Sequence, residues 1–355
     1  MEPINTYTWF YYFAALAGVA AVPFMFSGRQ FDRYVLPRTL ATALLIVIYF
    51  LGMTRVAGVD FVNYQYAYDV DPTFIPEIGF RALLIIFRSL GLPLTFLLLF
   101  IGLVDLFALR RVSRHFGVSF VLLLVLWFLH IVVVRDLAQI RIGLAISVVM
   151  IGLTASLRSS KFSFYVLGGS IHYSVLLFII AYEVCVFVAN IDRARMRHRL
   201  VFGMIAGTLI LGQALKVLSF LDPRIELYMQ WEQSGYGRAV ESYGSLVLHF
   251  VVVILAVITR RNWQRPGQAR ALLYLQLVGM SSFIALSATS IFAFRLSNAL
   301  LSLYPILLLM SCAALRIRLG GRPAHAAAAG ITMMVMCCAL LLRPGSFEIV
   351  QRVLL

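Results

Sequence analysis

FSFYVLGGSIHYSVLLFIIAYEVCVFVA, residues 162–189, is an apolar run too long for one membrane crossing, with His172 near its middle. A helix needs about 20 residues to cross a hydrocarbon core. The stretch reads either as two short helices meeting at IHYS or as one long tilted helix. Two helices are preferred, because only then do the flanking connections alternate in charge.

Other runs of crossing length lie near 9–26, 38–54, 93–109, 119–134, 137–157, 200–220, 243–259, 271–290, 297–315 and 324–342. With 162–189 counted twice, they make about twelve transmembrane segments. YTWFYYFAALAGVAAVPFMF reads as the first of them rather than as a cleavable signal. The composition agrees. The 355 residues are 62% hydrophobic and 13% charged, against roughly 45–50% and about 25% in soluble domains. The expected fold is an all-α polytopic integral membrane protein forming a single domain over residues 1–355, with external loops 55–92 and 221–242.

A net charge of +15 would suggest nucleic acid in a soluble chain. Here its distribution points elsewhere, and no nucleic-acid partner is expected. The connections 27–38, 110–118, 158–161, 190–199, 260–270 and 316–323 hold 19 of the 30 Lys and Arg, with only Asp32 and Asp192 against them. Excess Lys and Arg mark cytoplasmic loops. Both termini then face outward, as do 55–92, Arg135–Asp136, His172–Ser174, 221–242 and Phe294–Arg295. Cys185, Cys312, Cys337 and Cys338 sit in apolar runs without metal-ligand spacing or a disulfide framework, and read as small packing residues.

The outward polar residues carry the chemistry. In VVVRDLAQIRIGLAISVV, residues 132–149, Arg135 can pair with Asp136 or reach the interface. Arg141 lies six residues on, about 9 Å along a helix. A charge at that depth costs several kcal/mol unless it pairs or faces water, so it needs a structural partner or an anionic ligand. Arg295, in SIFAFRLSNALLSLYP, poses the same choice between interface anchor and anion site. His172 follows Gly168 and Gly169, which let helices approach or break, and is either a functional or a packing histidine. In TRVAGVDFVNYQYAYDVDPTFIPEIGF, residues 54–80, Asp60 and Glu77 flank Tyr64, Tyr66 and Tyr68, an aromatic string of the interfacial kind. PEIGFRALLIIFRSLGLP reads as an amphipathic surface helix with Arg81 and Arg88 on one face. The loop 221–242 repeats aromatic and acidic residues, and is either a substrate lid or a plain solvated loop.

In order along the chain, RVAGVDFVNY (55–64), EIGF (77–80), RIGLA (141–145), HYS (172–174) and FRLSN (294–298) resemble the EpsG/Wzy family of bacterial polysaccharide polymerases. The similarity runs over roughly residues 45–300. It implies a GT-C-like glycosyltransferase of the bacterial inner membrane, working at the periplasmic face on undecaprenyl-diphosphate-linked glycans as donor and acceptor. It further implies no nucleotide sugar, no metal or other cofactor, and membrane lipids as partners, with room for a chain-length regulator. The single very long external loop of larger polymerases is missing here.

Within that resemblance Arg55, Arg135, Arg141 and Arg295 are the candidates to hold the diphosphate, since guanidinium forks suit phosphate oxygens. His172, Asp60 and Glu77 are the candidate catalytic groups, with His172 or Asp60 favoured as base and Glu77 as a sugar-positioning group. Tyr64, Ser174 and Asn298 are the candidate glycan contacts. An O-antigen ligase-like enzyme and a lipid-linked glycan transporter or flippase remain rival readings. The topology makes a direct prediction. In a cysteine-free background, a single cysteine within 190–199 reacts with an impermeant maleimide only from the cytoplasmic side, and one within 69–74 only from outside; the reverse labelling overturns the orientation.

Overall fold

The computed structural model describes residue 46 and residues 61–127, 140–219, 243–286, 297 and 299–319. All regular structure in them is helical. In chain order the helices are α1 (Phe61–Asp69), α2 (Ile78–Ser89), α3 (Leu94–Phe116), α4 (Phe120–Leu126), α5 (Ile140–Leu153), α6 (Arg158–Ile171), α7 (Val175–Ala189), α8 (Ala194–Ser219), α9 (Tyr243–Thr259), α10 (Pro266–Leu286) and α11 (Tyr304–Leu319). The chain divides into two compact units, residues 1–176 with 319–336 and residues 177–318 with 337–355. The expected spans 9–26 and 324–342, nearly all of 38–54, and the loop 221–242 lie outside the described residues.

The run 162–189 is two helices, α6 and α7, with the break at His172–Ser174. His172 has an extended backbone (φ −154°, ψ 118°), and its N–H still bonds the Gly168 carbonyl. Gly168 and Gly169 do not cause the break; α6 runs through both. Gly168 instead permits close packing, since a Cβ there would sit 2.6 Å from Val149 Cγ2 and 3.1 Å from the Ala145 carbonyl oxygen of α5.

In the first unit α5 packs against α3 and α6, and α2 against α1, α3 and α6. Every α5 side chain is buried except Arg141, which is partly so. A helix that is apolar all round belongs in an interior, and IRIGLAISVVMIGL is apolar all round but for that arginine. The link after residue 60 is less open than a loop. Tyr64 and Tyr68, four apart on one face of α1, are buried, while Tyr66 on the other face is exposed. A short 3-10 turn at Pro72–Phe74 follows, begun by Asp71. The Thr73 hydroxyl and backbone N–H bond that carboxylate and hold it below the usual carboxylate range. The expected amphipathic helix is α2, which buries Phe80 and Leu84 and ends at Gly91, where φ is +67°. Leu92 N–H then reaches the Phe87 carbonyl, closing the helix end.

In the second unit α10 packs against α8 and α9. Buried His249 meets Gln276 at 2.7 Å and the edge of Tyr304, joining α9, α10 and α11. Cys185 and Cys312 are both buried.

Among the described residues no helix is long and apolar enough to cross a membrane. Helix α7 has 15 residues, short of about 20, and α3 carries Asp105, Arg110 and Arg111 within its length. Single helix faces are nonetheless both apolar and exposed, as at Phe96, Phe100, Leu103 and Phe107 of α3 and Ile180, Val184 and Phe187 of α7.

At Gly79 of α2 an added Cβ would lie 2.8 Å from the Ser170 carbonyl carbon and 2.9 Å from its oxygen, on α6. Backbone cannot give way as a side-chain end does. Gly79→Ala therefore costs about 1–3 kcal/mol, read as a lowered unfolding temperature in detergent. Gly203→Ala, where nothing lies within 4 Å, is neutral or gains about 0.5–1 kcal/mol. Equal effects from the two substitutions contradict the close α2–α6 approach.

Candidate functional site

Glu77 occupies the N-cap position of α2, with an extended backbone (φ −76°, ψ 116°), yet its side chain makes no capping bond. The carboxylate turns inward and is almost fully buried. Its Oε2 accepts a short charged hydrogen bond from Arg141 Nη1. Arg141 comes from the first turn of the described part of α5, 64 residues along the chain. Its Nε donates to the Tyr64 hydroxyl at 3.4 Å, and its guanidinium carbon lies 5.6 Å from the centre of the Tyr64 ring. Phe80 closes on the same ring at 5.8 Å.

On the other side of the carboxylate stands His172. Its Nε2 is 3.9 Å from Glu77 Oε1. The opposite nitrogen is tied down locally: Nδ1 accepts the Ser174 backbone N–H at 3.3 Å and lies 2.9 Å from Ser174 Oγ. A nitrogen that accepts an N–H carries no proton of its own, so in neutral His172 the proton sits on Nε2, the atom toward Glu77. The bond also gives the start of α7 an acceptor for an N–H that has no partner inside the helix. One imidazole thus shapes the helix break and sets its own tautomer.

The sequence candidates Glu77, Arg141, His172, Tyr64 and Ser174 all come together here, within the first unit. Arg55, Asp60, Arg135, Arg295 and Asn298 lie outside the described residues. Of the two alternatives for Arg141, a structural partner or an anionic ligand, the structure supplies a partner within the chain, Glu77. One position differs from the expectation. Tyr64, expected as a glycan contact, is only 2% exposed and serves as a rest for the Arg141 guanidinium. The signal for that was the four-residue spacing of Tyr64 and Tyr68, which sets both on the buried face of a helix. Sequence reasoning also missed Tyr173, whose exposed ring follows His172 directly and whose hydroxyl bonds the Pro76 carbonyl at 3.4 Å.

The arrangement has a definite chemical capacity. A nearly buried carboxylate, charge-balanced by a guanidinium on one oxygen and facing an N–H donor across the other, is placed to take a proton from a hydroxyl. The 3.9 Å gap exceeds a hydrogen bond. A gap of that size is wide enough to admit a hydroxyl oxygen about 2.7–2.9 Å from each atom, which would donate to Glu77 and accept from His172.

Among known proteins, the family model of the EpsG family matches residues 38–350. No curated protein and no solved structure matches the chain. With most of its length matched, the chain belongs to the EpsG family, which places it among polysaccharide polymerases.

Removing one partner of a buried ion pair leaves the other charge uncompensated, at about 3–5 kcal/mol. Arg141→Ala accordingly lowers the unfolding temperature in detergent well below that of the double substitution Arg141→Met with Glu77→Gln. If the single and double variants unfold together, the pair is not coupled as described.

Proposed function

Taking membership of the EpsG family as the premise, we propose that this chain polymerises undecaprenyl-diphosphate-linked oligosaccharide repeat units at the periplasmic face of the bacterial inner membrane, as a multi-pass, metal-independent glycosyltransferase of GT-C-like architecture. The observation that carries the reading is the Glu77 carboxylate, nearly buried and held between Arg141 and His172. Multi-pass embedding is supported by the 62% hydrophobic composition and by apolar helix faces left exposed. Outward placement of the site is supported by the charge asymmetry of the connections.

The reaction joins an acceptor hydroxyl to the anomeric carbon of the donor glycan. The hydroxyl bridges Glu77 Oε1 and His172 Nε2–H. Its proton passes to Glu77 as the new C–O bond forms and the C–O bond to the carrier diphosphate breaks. Negative charge therefore disappears from Glu77 while it grows on the leaving diphosphate. Arg141, until then balanced by Glu77, is left with net positive charge at that moment, and its Nη2 edge is the part not engaged by Tyr64 or Glu77. A fixed cation facing charge that develops in the transition state lowers the barrier more than it tightens ground-state binding. On the resemblance, and as part of the proposal, Arg55 and Arg135 are further diphosphate contacts, Asp60 is a second acid for the acceptor, and Ser174 is a glycan contact.

Reconstitution of the full chain with purified lipid-diphosphate repeat units tests this. A ladder of products forms without nucleotide sugar and in the presence of EDTA. Glu77→Gln lowers the rate per folded, inserted molecule by roughly 10²–10⁴-fold. Arg141→Lys keeps the charge but loses the fork, and shortens the ladder. Translocation of unmodified lipid with no ladder would falsify the proposal in favour of transport. A normal ladder from Glu77→Gln removes the carboxylate from the chemistry.

A further inference from the structure

Both segments that supply the proton-transfer pair also carry exposed aromatic rings. Phe74 lies three residues before Glu77, and Tyr173 directly follows His172. Phe74, Tyr66 and Tyr173 are each about half exposed, at 54%, 49% and 51%. Tyr66 and Phe74 meet edge to face with centroids 5.6 Å apart, so each fixes the other's orientation. The hydroxyl bond from Tyr173 to Pro76 joins the third ring to the same segment.

Rings exposed this way suit either hydrocarbon or the apolar C–H face of a sugar. The polar residues around them favour the sugar. On α1, Asn63 and Asp69 stand three residues before and after Tyr66, on its own helix face, and both are exposed. An amide and a carboxylate at the rim of a ring match the hydroxyls around a pyranose, and the carboxylate opposes an acidic lipid surface. Tyr64 has no such exposed ring.

We infer that Tyr66, Phe74 and Tyr173 form a carbohydrate-binding platform beside Glu77 and His172, where the incoming glycan lays a sugar face on the rings and presents its hydroxyl to the pair. The inference deepens the polymerase reading and rests on it for the orientation of the glycan, though sugar binding itself is measured apart from transfer. The platform also gives the acceptor a hold that needs no lipid carrier.

The test uses the purified full chain in detergent and, as probe, the lipid-free repeat-unit oligosaccharide released by mild acid from the host's own polysaccharide. Binding is followed by saturation-transfer NMR and titration in the otherwise unsubstituted chain, where the probe, lacking a lipid diphosphate, cannot act as donor. Tyr66→Ala with Phe74→Ala raises Kd at least about tenfold, and Tyr66→Trp restores a stacking surface and binds within about threefold of the parent. Both positions are exposed, so unfolding temperatures stay close to the parent's. Unchanged affinity in the double alanine variant overturns the platform, as does a parent chain that binds no oligosaccharide. The inference also fails if the alanine variants keep sugar affinity but lose partition into phosphatidylethanolamine–phosphatidylglycerol vesicles, which makes the rings lipid anchors. Failure of polymerisation with sugar binding intact counts instead against the polymerase reading.

Discussion

A carboxylate withdrawn from water next to an arginine constrains everything around it in the first unit. Glu77 reaches its place from the N-terminus of α2, Arg141 from α5 and His172 from the break between α6 and α7, so three parts of the chain must bring their ends to one point. Burying an ion costs several kcal/mol even after relaxation, and a guanidinium partner offsets this only with good geometry. Apolar side chains of similar volume commonly serve stability as well or better. Helix α5 shows how readily this interior accepts them, since thirteen of its fourteen residues are buried, nine of them with aliphatic side chains. Stability alone therefore gives no reason for the fourteenth to be arginine. The proposed proton transfer at the carboxylate supplies one.

The helices that sequence located well are those announced by apolar runs: the expected end of 243–259 is the C-terminus of α9, and the division of 162–189 followed from its length together with the alternation of charge in the flanking connections. What pattern could not supply was the cause of that division. Gly168 and Gly169 allowed either a break or a close approach, and Gly168 serves the second: a helix tolerates glycine at about 1 kcal/mol, and the neighbouring helix fills the space of the missing side chain. The extended backbone of His172, with Nδ1 turned onto Ser174, makes the break. The tyrosines of 64–68 misled for a related reason. Alternation suggested a belt, whereas the helix they form sorts 64 and 68 inward and 66 outward.

Site residues were legible one by one, because each was a polar group in apolar surroundings. Their pairing was not. Arg141 called for an anion, and nothing in local sequence says whether that anion is a ligand or a carboxylate 64 residues away. The answer required the packing of α2 against α6 and of α6 against α5, which the close approaches at Gly79 and Gly168 permit. Asp60, Arg55, Arg135, Arg295 and Asn298 stand as the sequence left them.

Sidedness links the site to the rest of the first unit. Arg111 donates to the Thr154 hydroxyl and carbonyl at the C-terminal end of α5, where a cation complements the helix dipole. Arg110 and Arg114 lie within one turn of it on α3, and Arg158 and Lys161 begin α6. Arg141 stands at the opposite end of α5, about 20 Å away at 1.5 Å per residue. The first unit thus separates its charges along one helix. At one end are cations matched by no acid in 110–118 or 158–161; at the other, an arginine balanced within the protein by a nearly buried carboxylate. A cationic end that only marks orientation needs no partner, since water and headgroups solvate it. The other end needs its partner because it is enclosed, and a group that must be enclosed and charged is suited to hold charge for a substrate.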